Sequence, residues 1–271
     1  SSDLMRDNYI KQIPIVDKSG KVVKLELLKN LLKKERRLNW AVIMAGGLGT
    51  RLKPLTDSCP KPLLKIAGKP ILEIILKRLS EQGINRVYIA VNYKGDMISS
   101  YFGDGSKFGV QIEYIHESNK LGTAGALSLL PKVPMQPLLV MNGDLLTGVN
   151  FSQMLEFHER HSSNATMGVI EYDVQVPYGV VKLQDHHLKS LDEKPVQTFF
   201  INAGIYILEP SVLKLIPHNT QFDMTELFQN IFHEKQKAVA FPIREFWLDI
   251  GKPDDFSKAN EIYSSMCDIN E

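Results

Sequence analysis

The chain has 271 residues, 44% of them hydrophobic, which is enough to bury a full core as one large domain or a domain with an appendage and argues against a disordered chain. Its 32 basic and 31 acidic residues leave a formal charge of +1, so composition gives no broad electropositive face for nucleic acid, and any phosphate site has to be local. Two cysteines, Cys59 and Cys267, are too few for a disulfide framework and fit a reduced, cytoplasmic setting, and no apolar run approaches the roughly 20 residues needed to cross a bilayer.

The first ten residues, SSDLMRDNYI, lack the apolar stretch of a signal peptide, and the abrupt Ser-Ser start reads as a boundary with residues upstream of it. Residues 10–28 (IKQIPIVDKSGKVVKLELL) predict a short strand ending in Ile15-Val16, an Asp-Lys-Ser-Gly turn, a second strand and a helical run. The pattern is that of a structured N-terminal arm; it also resembles the closing strands and helix of a CBS domain, a resemblance that implies a regulatory nucleotide bound further upstream. The charged segment Lys33 to Asn39 reads as a linker, so the expected organisation is an arm over residues 1–38 and a body over 39–271.

The body alternates strands and helices. WAVIMA (40–45) is a continuous apolar run suited to a strand buried on both faces, and RVYIAVNY and PLLVMNGD repeat that signal. A helix is expected from Pro70 to Gln82, with Ile71, Ile74, Ile75 and Leu79 on one side and Gly83 as its stop. A loop from Gly103 to Gly109 leads into the strand VQIEYIHE. Further strands are expected in ATMGVIEY, YGVVKLQ and FFINAGIYIL, and a helix in DMTELFQNIFHEK, where Asp223 and Glu226 are spaced as a capping box. A final helix follows Pro253 and runs to about Met266. The alternation predicts an α/β fold, Rossmann-like and doubly wound, with a mostly parallel mixed sheet and a small antiparallel addition after Ala165. No hexapeptide repeat is present, so a β-helix domain is not expected.

The strongest chemical signal is AGGLGTRLKPLTDSCPKPLL, residues 45–64, directly after the first buried strand. Glycines let a backbone approach a polyphosphate and turn its N–H groups inward, and Arg51 and Lys61 add the cationic charge that phosphoryl chemistry needs. The dinucleotide pattern fails because Leu52 stands where its third glycine would be, and the P-loop fails for want of Gly-Lys-Ser/Thr. His158 and His161, three apart on an expected helix, have no third ligand at metal spacing and read as a solvated face, and His186-His187 reads as a hairpin turn. There is no nucleophile triad and no aromatic stacking pattern for nucleic acid.

Gly-x-Gly-Thr-Arg followed by Lys-Pro resembles the signature of the sugar-1-phosphate nucleotidyltransferases that make nucleotide sugars, and the likeness extends in order over residues 40–256 through LGTAGAL (121–127), MNGD (141–144), YGVV (178–181), EKP (193–195), NAGIY (202–206) and WLDIG (247–251). The resemblance implies transfer of a nucleoside monophosphate from a nucleoside triphosphate to a sugar 1-phosphate with release of pyrophosphate, and Mg²⁺ as the cofactor. It implies a nucleotide site at Ala45, Gly46, Gly47, Gly49, Thr50, Arg51, Glu117, Gly122 and Thr123. The sugar phosphate is expected at Gly143, Gly179, Glu193, Lys194, Asn202 and Ala203, and the metal at Asp144 and Asp249. Arg51, Lys61, Asp144, Lys194 and Asp249 form the implied catalytic set. The partners are then small molecules, with a homo-oligomer allowed and neither nucleic acid nor membrane expected.

Glu117 bears on the base. A glutamine at the matching place in thymidylyl-transferring relatives both donates and accepts, whereas a carboxylate only accepts and suits the adjacent N1–H and N2 donors of guanine. HESNKLGTAGAL also resembles mannose-1-phosphate guanylyltransferases, so GTP is the expected donor, with UTP or dTTP as the alternative. A non-catalytic nucleotide-sugar sensor is the alternative of a different class.

Overall fold

The computed structural model describes residues 12–16, 20–27 and 37–268. Two strands of the arm, β1 (Gln12–Val16) and β2 (Val22–Leu27), pair antiparallel as the turn between them predicts; the second strand runs on to Leu27, so the described residues hold no helical run before residue 28, and most of the charged segment lies at 33–36, outside the described part. The end of that segment is not linker: Arg37, Leu38 and Asn39 already belong to β3 (Arg37–Met44), where Arg37 holds Glu156 at 3.0 Å and the buried Asn39 amide donates to the Pro137 carbonyl at 2.8 Å.

The body continues through β4 (Lys65–Ile66), β5 (Lys69–Pro70), α1 (Ile71–Glu81), β6 (Ile84–Val91), α2 (Gly95–Phe102), β7 (Gln111–His116), β8 (Leu138–Asn142), β9 (Leu145–Thr147), α3 (Phe151–Arg160), β10 (Ala165–Gln175), β11 (Val180–Gln184), β12 (His187–Asp192), β13 (Val196–Leu208), α4 (Met224–His233), β14 (Ala238–Pro242), β15 (Trp247–Asp249) and α5 (Pro253–Asp268). Seven strands form one sheet in the order β14-β10-β13-β8-β3-β6-β7, and the pairings make β13 antiparallel to the other six. The antiparallel component is thus partly inside the main sheet. The rest is carried by separate two-stranded antiparallel pairs, among them the hairpin β11-β12, which turns at Asp185 and His186.

Period-two alternation divides the core. Ala41 and Ile43 of β3 face one layer with α1, α2, α3 and α5, while Val42 faces the other with α4, giving a sheet covered on both sides. The helix expected at 70–82 is α1, with Pro70 as its N-cap and Gly83 (φ 82°) ending it. Asp223 caps α4, and the Glu226 carboxylate accepts the Asp223 backbone N–H at 2.7 Å, as the capping-box spacing predicts. Among the described residues no helix is long and apolar enough to cross a membrane.

One expectation is overturned at α3. Its buried residues Phe151, Met154, Leu155 and His158 follow i, i+3, i+4, i+7, so His158 stands on the core stripe and is 1% exposed instead of solvated. Its Nδ1 lies 2.8 Å from Thr166 Oγ1 and its Nε2 3.3 Å from Glu209 Oε1, which satisfies both ring nitrogens internally. His161 keeps only a local bond, its Nδ1 donating to the Phe157 carbonyl at 2.8 Å.

Burial pushes the His158 imidazole below its ordinary value, with Glu209 opposing. The unfolded chain therefore takes up a proton before the folded one as pH falls through about 6.5, and folding stability drops on the acid side of that value. Urea midpoints measured from pH 8 to 5 are expected to fall along this limb, and His158→Gln is expected to flatten it.

Candidate active site

Strands β7, β6, β3 and β8 lie side by side in that order, so the chain reverses its winding between β3 and β8, and the crevice beyond their carboxyl ends is where open α/β sheets place ligands. The loop after β3 begins at Ala45, whose N–H donates to the Ala90 carbonyl at 2.9 Å; the loop after β8 begins at Gly143, whose N–H donates to the Met44 carbonyl at 2.9 Å. The glycine loop and Asp144 are thereby brought to one point. They wall a cavity of about 230 Å³ with Gly47, Leu48, Gly49, Thr50, Arg51, Leu52, Lys61, Lys120 and Gly251.

Strand β15 lies antiparallel to β9 with Asp249 opposite Leu145, and the Ile250 N–H donates to the Asp144 carbonyl at 3.1 Å. This pairing sets two carboxylates beside each other. Burial pushes the Asp249 carboxyl above its ordinary value and the Asp144 charge adds to the shift, while Lys61 and Arg51 oppose it. The buried Lys61 Nζ is bonded to Asp144 Oδ2. Asp144 Oδ1 and Asp249 Oδ1 are both buried without a hydrogen-bond partner, an arrangement that asks for a cation. Among the described residues no cluster of three or more His, Cys, Asp or Glu side chains stands ready as a closed cage. Two carboxylates with buried, unpartnered oxygens, one of them (Asp144) on the cavity wall, fit Mg²⁺, which keeps waters and shares its shell with phosphates.

Each loop glycine has its own reason. A β-carbon on Gly46 would lie 2.7 Å from Glu117 Oε1, and one on Gly49 (φ 64°) would lie 2.8 Å from Thr56 Cγ2, whereas one on Gly47 would meet no protein atom within 4 Å. Gly47 is therefore open toward the cavity, as a backbone that receives a ligand would be. Glu117 does not point into solvent: its Oε2 accepts the Leu121 N–H at 3.1 Å, and burial pushes its carboxyl up against the lowering effect of that bond. It ties the first loop to the second.

The second loop is largely spent on the protein. Thr123 N–H donates to Asp223 Oδ1 at 2.8 Å, and the Ala124 and Gly125 N–H groups donate to the Phe222 carbonyl at 3.0 and 2.9 Å. Gly122 (φ 79°) packs so tightly that a β-carbon would sit 2.7 Å from Asp223 Oδ1 and 2.8 Å from the Phe222 carbonyl oxygen. Asn202 accepts the Gly204 N–H and donates to the Tyr206 hydroxyl, while the Ala203 carbonyl accepts Trp247 Nε1–H at 2.9 Å, which ties that segment to β15. Gly179, Glu193 and Lys194 lie on the exposed hairpin and its root, where a β-carbon on Gly179 would be 3.1 Å from Glu193 Oε2; none of the three walls the cavity.

Four wall residues carry no site role in the sequence reading: Leu48 and Leu52 of the first loop, Lys120 and Gly251. Lys120 directly precedes LGTAGAL, and Gly251 closes WLDIG, where a β-carbon would come 3.4 Å from Arg51 Nη1 and 3.5 Å from Asp249 Oδ2. Its place as the last residue of WLDIG, two after Asp249, was the signal available for Gly251. Cys59, in the first loop region, is a free thiol whose ionisation burial pushes up, and the side chain of Cys267 lies outside the described residues.

Residues 40–265 match the family described as Nucleotidyl transferase. The mannose-1-phosphate guanyltransferase of Aspergillus fumigatus is 38% identical over 232 residues, covering 82% of this chain and 64% of that protein. The mannose-1-phosphate guanylyltransferase of Mycobacterium tuberculosis is 33% identical over 228 residues, covering 81% and 63%. The chain thus spans just under two thirds of the length of these curated relatives. Among solved structures, HddC from Yersinia pseudotuberculosis complexed with GMP-PN superposes with a TM-score of 0.63 at 30% identity, covering 83% of this chain and 99% of that one.

Gly122→Ala combines a left-handed backbone with an overlap on a backbone oxygen, so it is expected to destabilise the fold by about 2 kcal/mol or more. Gly47→Ala, into open space, is expected to leave stability unchanged and weaken nucleotide binding. Urea denaturation of the two variants side by side checks the contrast.

Proposed function

Because the chain belongs to the nucleotidyl transferase family, we propose that it transfers a nucleoside monophosphate, from GTP by preference, to a hexose or hexosamine 1-phosphate, releasing pyrophosphate. The observation that carries this is the pair of unpartnered, buried oxygens of Asp144, on the wall of a glycine-lined cavity that also holds Arg51 and Lys61, and of Asp249 beside it. The names of the relatives at 33–38% identity support the same reaction class and make mannose 1-phosphate the first sugar to try.

The obstacle to such a reaction is bringing two polyanions together, so the residues should position and neutralise instead of attacking. A phosphate oxygen of the sugar 1-phosphate displaces pyrophosphate in line at the α-phosphorus. Backbone N–H groups of the loop at residues 46–50 receive the triphosphate, and Arg51 bears on the leaving phosphates. Lys61 holds Asp144 in place and carries positive charge to the reacting phosphates. Mg²⁺, when bound between Asp144 and Asp249, would supply a hard divalent charge against the phosphate oxygens. Asn202, on the segment that Trp247 ties to β15, is the sugar contact expected there, with Glu193, Lys194 and Gly179 on the exposed hairpin, while the fully buried Ala203 holds that segment in place and does not touch the sugar. GTP and sugar phosphates as substrates fit a cytoplasmic protein.

Glu117 supports the choice of GTP. It is pinned against Gly46 at the start of the loop, and although Leu121 takes one lone pair of Oε2, a carboxylate retains enough acceptor sites for two adjacent donors of guanine.

A matrix of five nucleoside triphosphates against several hexose and hexosamine 1-phosphates, read by pyrophosphate release, tests the reading. GTP is expected to lead, and Glu117→Gln to lose that preference toward the pyrimidine nucleotides. Asp144→Ala and Asp249→Ala are each expected to lower the rate by about 10²-fold or more at saturating Mg²⁺. Near wild-type rates in both would remove the metal assignment, and binding without pyrophosphate release across the whole matrix would make the protein a sensor.

A further inference from the structure

Three cations wall the cavity, and their surroundings differ. Lys61 is bonded to Asp144, and Arg51 lies where a Gly251 β-carbon would be 3.4 Å from its Nη1, coupled by charge to Asp249. Lys120 is exposed and, among the described residues, has no ion pair or hydrogen bond through its ammonium group. Its position is fixed all the same. Glu117, three residues earlier, is anchored over Gly46, and Leu121, the next residue, gives its N–H to Glu117 Oε2, so the backbone carrying Lys120 is clamped at the mouth of the cavity.

A third positive charge converging on two others is unfavourable by itself and becomes favourable when an anion enters. Lys120 shares the cavity wall with the stretch of loop that includes Gly47, where a β-carbon would meet no protein atom within 4 Å. Lys61 and Asp144 mark the part of the cavity wall where, on the nucleotidyl-transfer reading, bond exchange would occur. We propose that Lys120 is a substrate-contacting residue that grips the β- and γ-phosphates of the incoming nucleoside triphosphate, the part that departs as pyrophosphate. The proposal rests on the nucleotidyl-transfer reading. Lys120 lies within HESNKLGTAGAL, but no site role is expected of it from the sequence.

The test is isothermal titration of GTP and of GMP, each with Mg²⁺, into the wild-type chain, Lys120→Ala and Lys120→Arg, with the preferred triphosphate replacing GTP should the matrix show another. Lys120→Ala is expected to weaken GTP about tenfold and leave GMP unchanged, with Lys120→Arg recovering most of the loss and the difference shrinking as salt is raised. An unchanged GTP affinity in Lys120→Ala, or an equal loss for GTP and GMP, overturns the proposal while triphosphate binding by the wild type leaves the parent reading standing. A wild-type chain that binds no nucleoside triphosphate overturns both.

Discussion

Two carboxylates held side by side with their inward oxygens unpartnered are the constraint on which the rest of this structure turns. Asp144 and Asp249 come from segments 105 positions apart in sequence, and mutual repulsion together with burial raises the cost of keeping both ionised. The fold meets that cost with backbone geometry. Strand β15 is hydrogen-bonded to β9, the Ile250 N–H closes on the Asp144 carbonyl, and Lys61 fastens one oxygen of the pair. What remains is a pair of carboxylates whose electrostatics, on the proposed reading, a cation and an anionic substrate would complete together.

The sheet supplies the second half of the arrangement. Reversal of the winding between β3 and β8 opens a crevice where a glycine loop and an aspartate loop leave neighbouring strands, and the Gly143 N–H to Met44 carbonyl bond holds those two exits together. Layers of apolar side chains on both faces make that edge rigid, so the loops are positioned from below. Glu117 then links the first loop to the second, and Asp223, as the cap of α4, links the second loop to the opposite layer. The Thr123 N–H, expected to face the nucleotide, is occupied by this scaffold instead.

Much of this was legible in the sequence because it depends on local signals. Continuous apolar runs marked β3, β6 and β8, the capping-box spacing marked α4, and the ordered motifs marked Arg51, Lys61, Asp144 and Asp249. What escaped depends on tertiary pairing or on a periodicity read too narrowly. The strands β9 and β15 have three residues each and exist through each other. Helix α2 is short, opens on a left-handed Lys94 and buries only Gly95, Ile98 and Phe102, too few positions to declare a stripe. His158 was misread because its chemistry drew attention ahead of its place at i+7 behind Phe151. Lys120 carried no signal of its own in the sequence, and its place on the cavity wall follows from the fold.

Anomalous scattering from Mn²⁺, in a crystal grown with a non-hydrolysable GTP analogue, tests the central claim most directly. The account predicts a peak within about 2.2 Å of both Asp144 Oδ1 and Asp249 Oδ1 and shared with the nucleotide phosphates. A metal carried on the phosphates alone, with both aspartates free of it, would contradict the account.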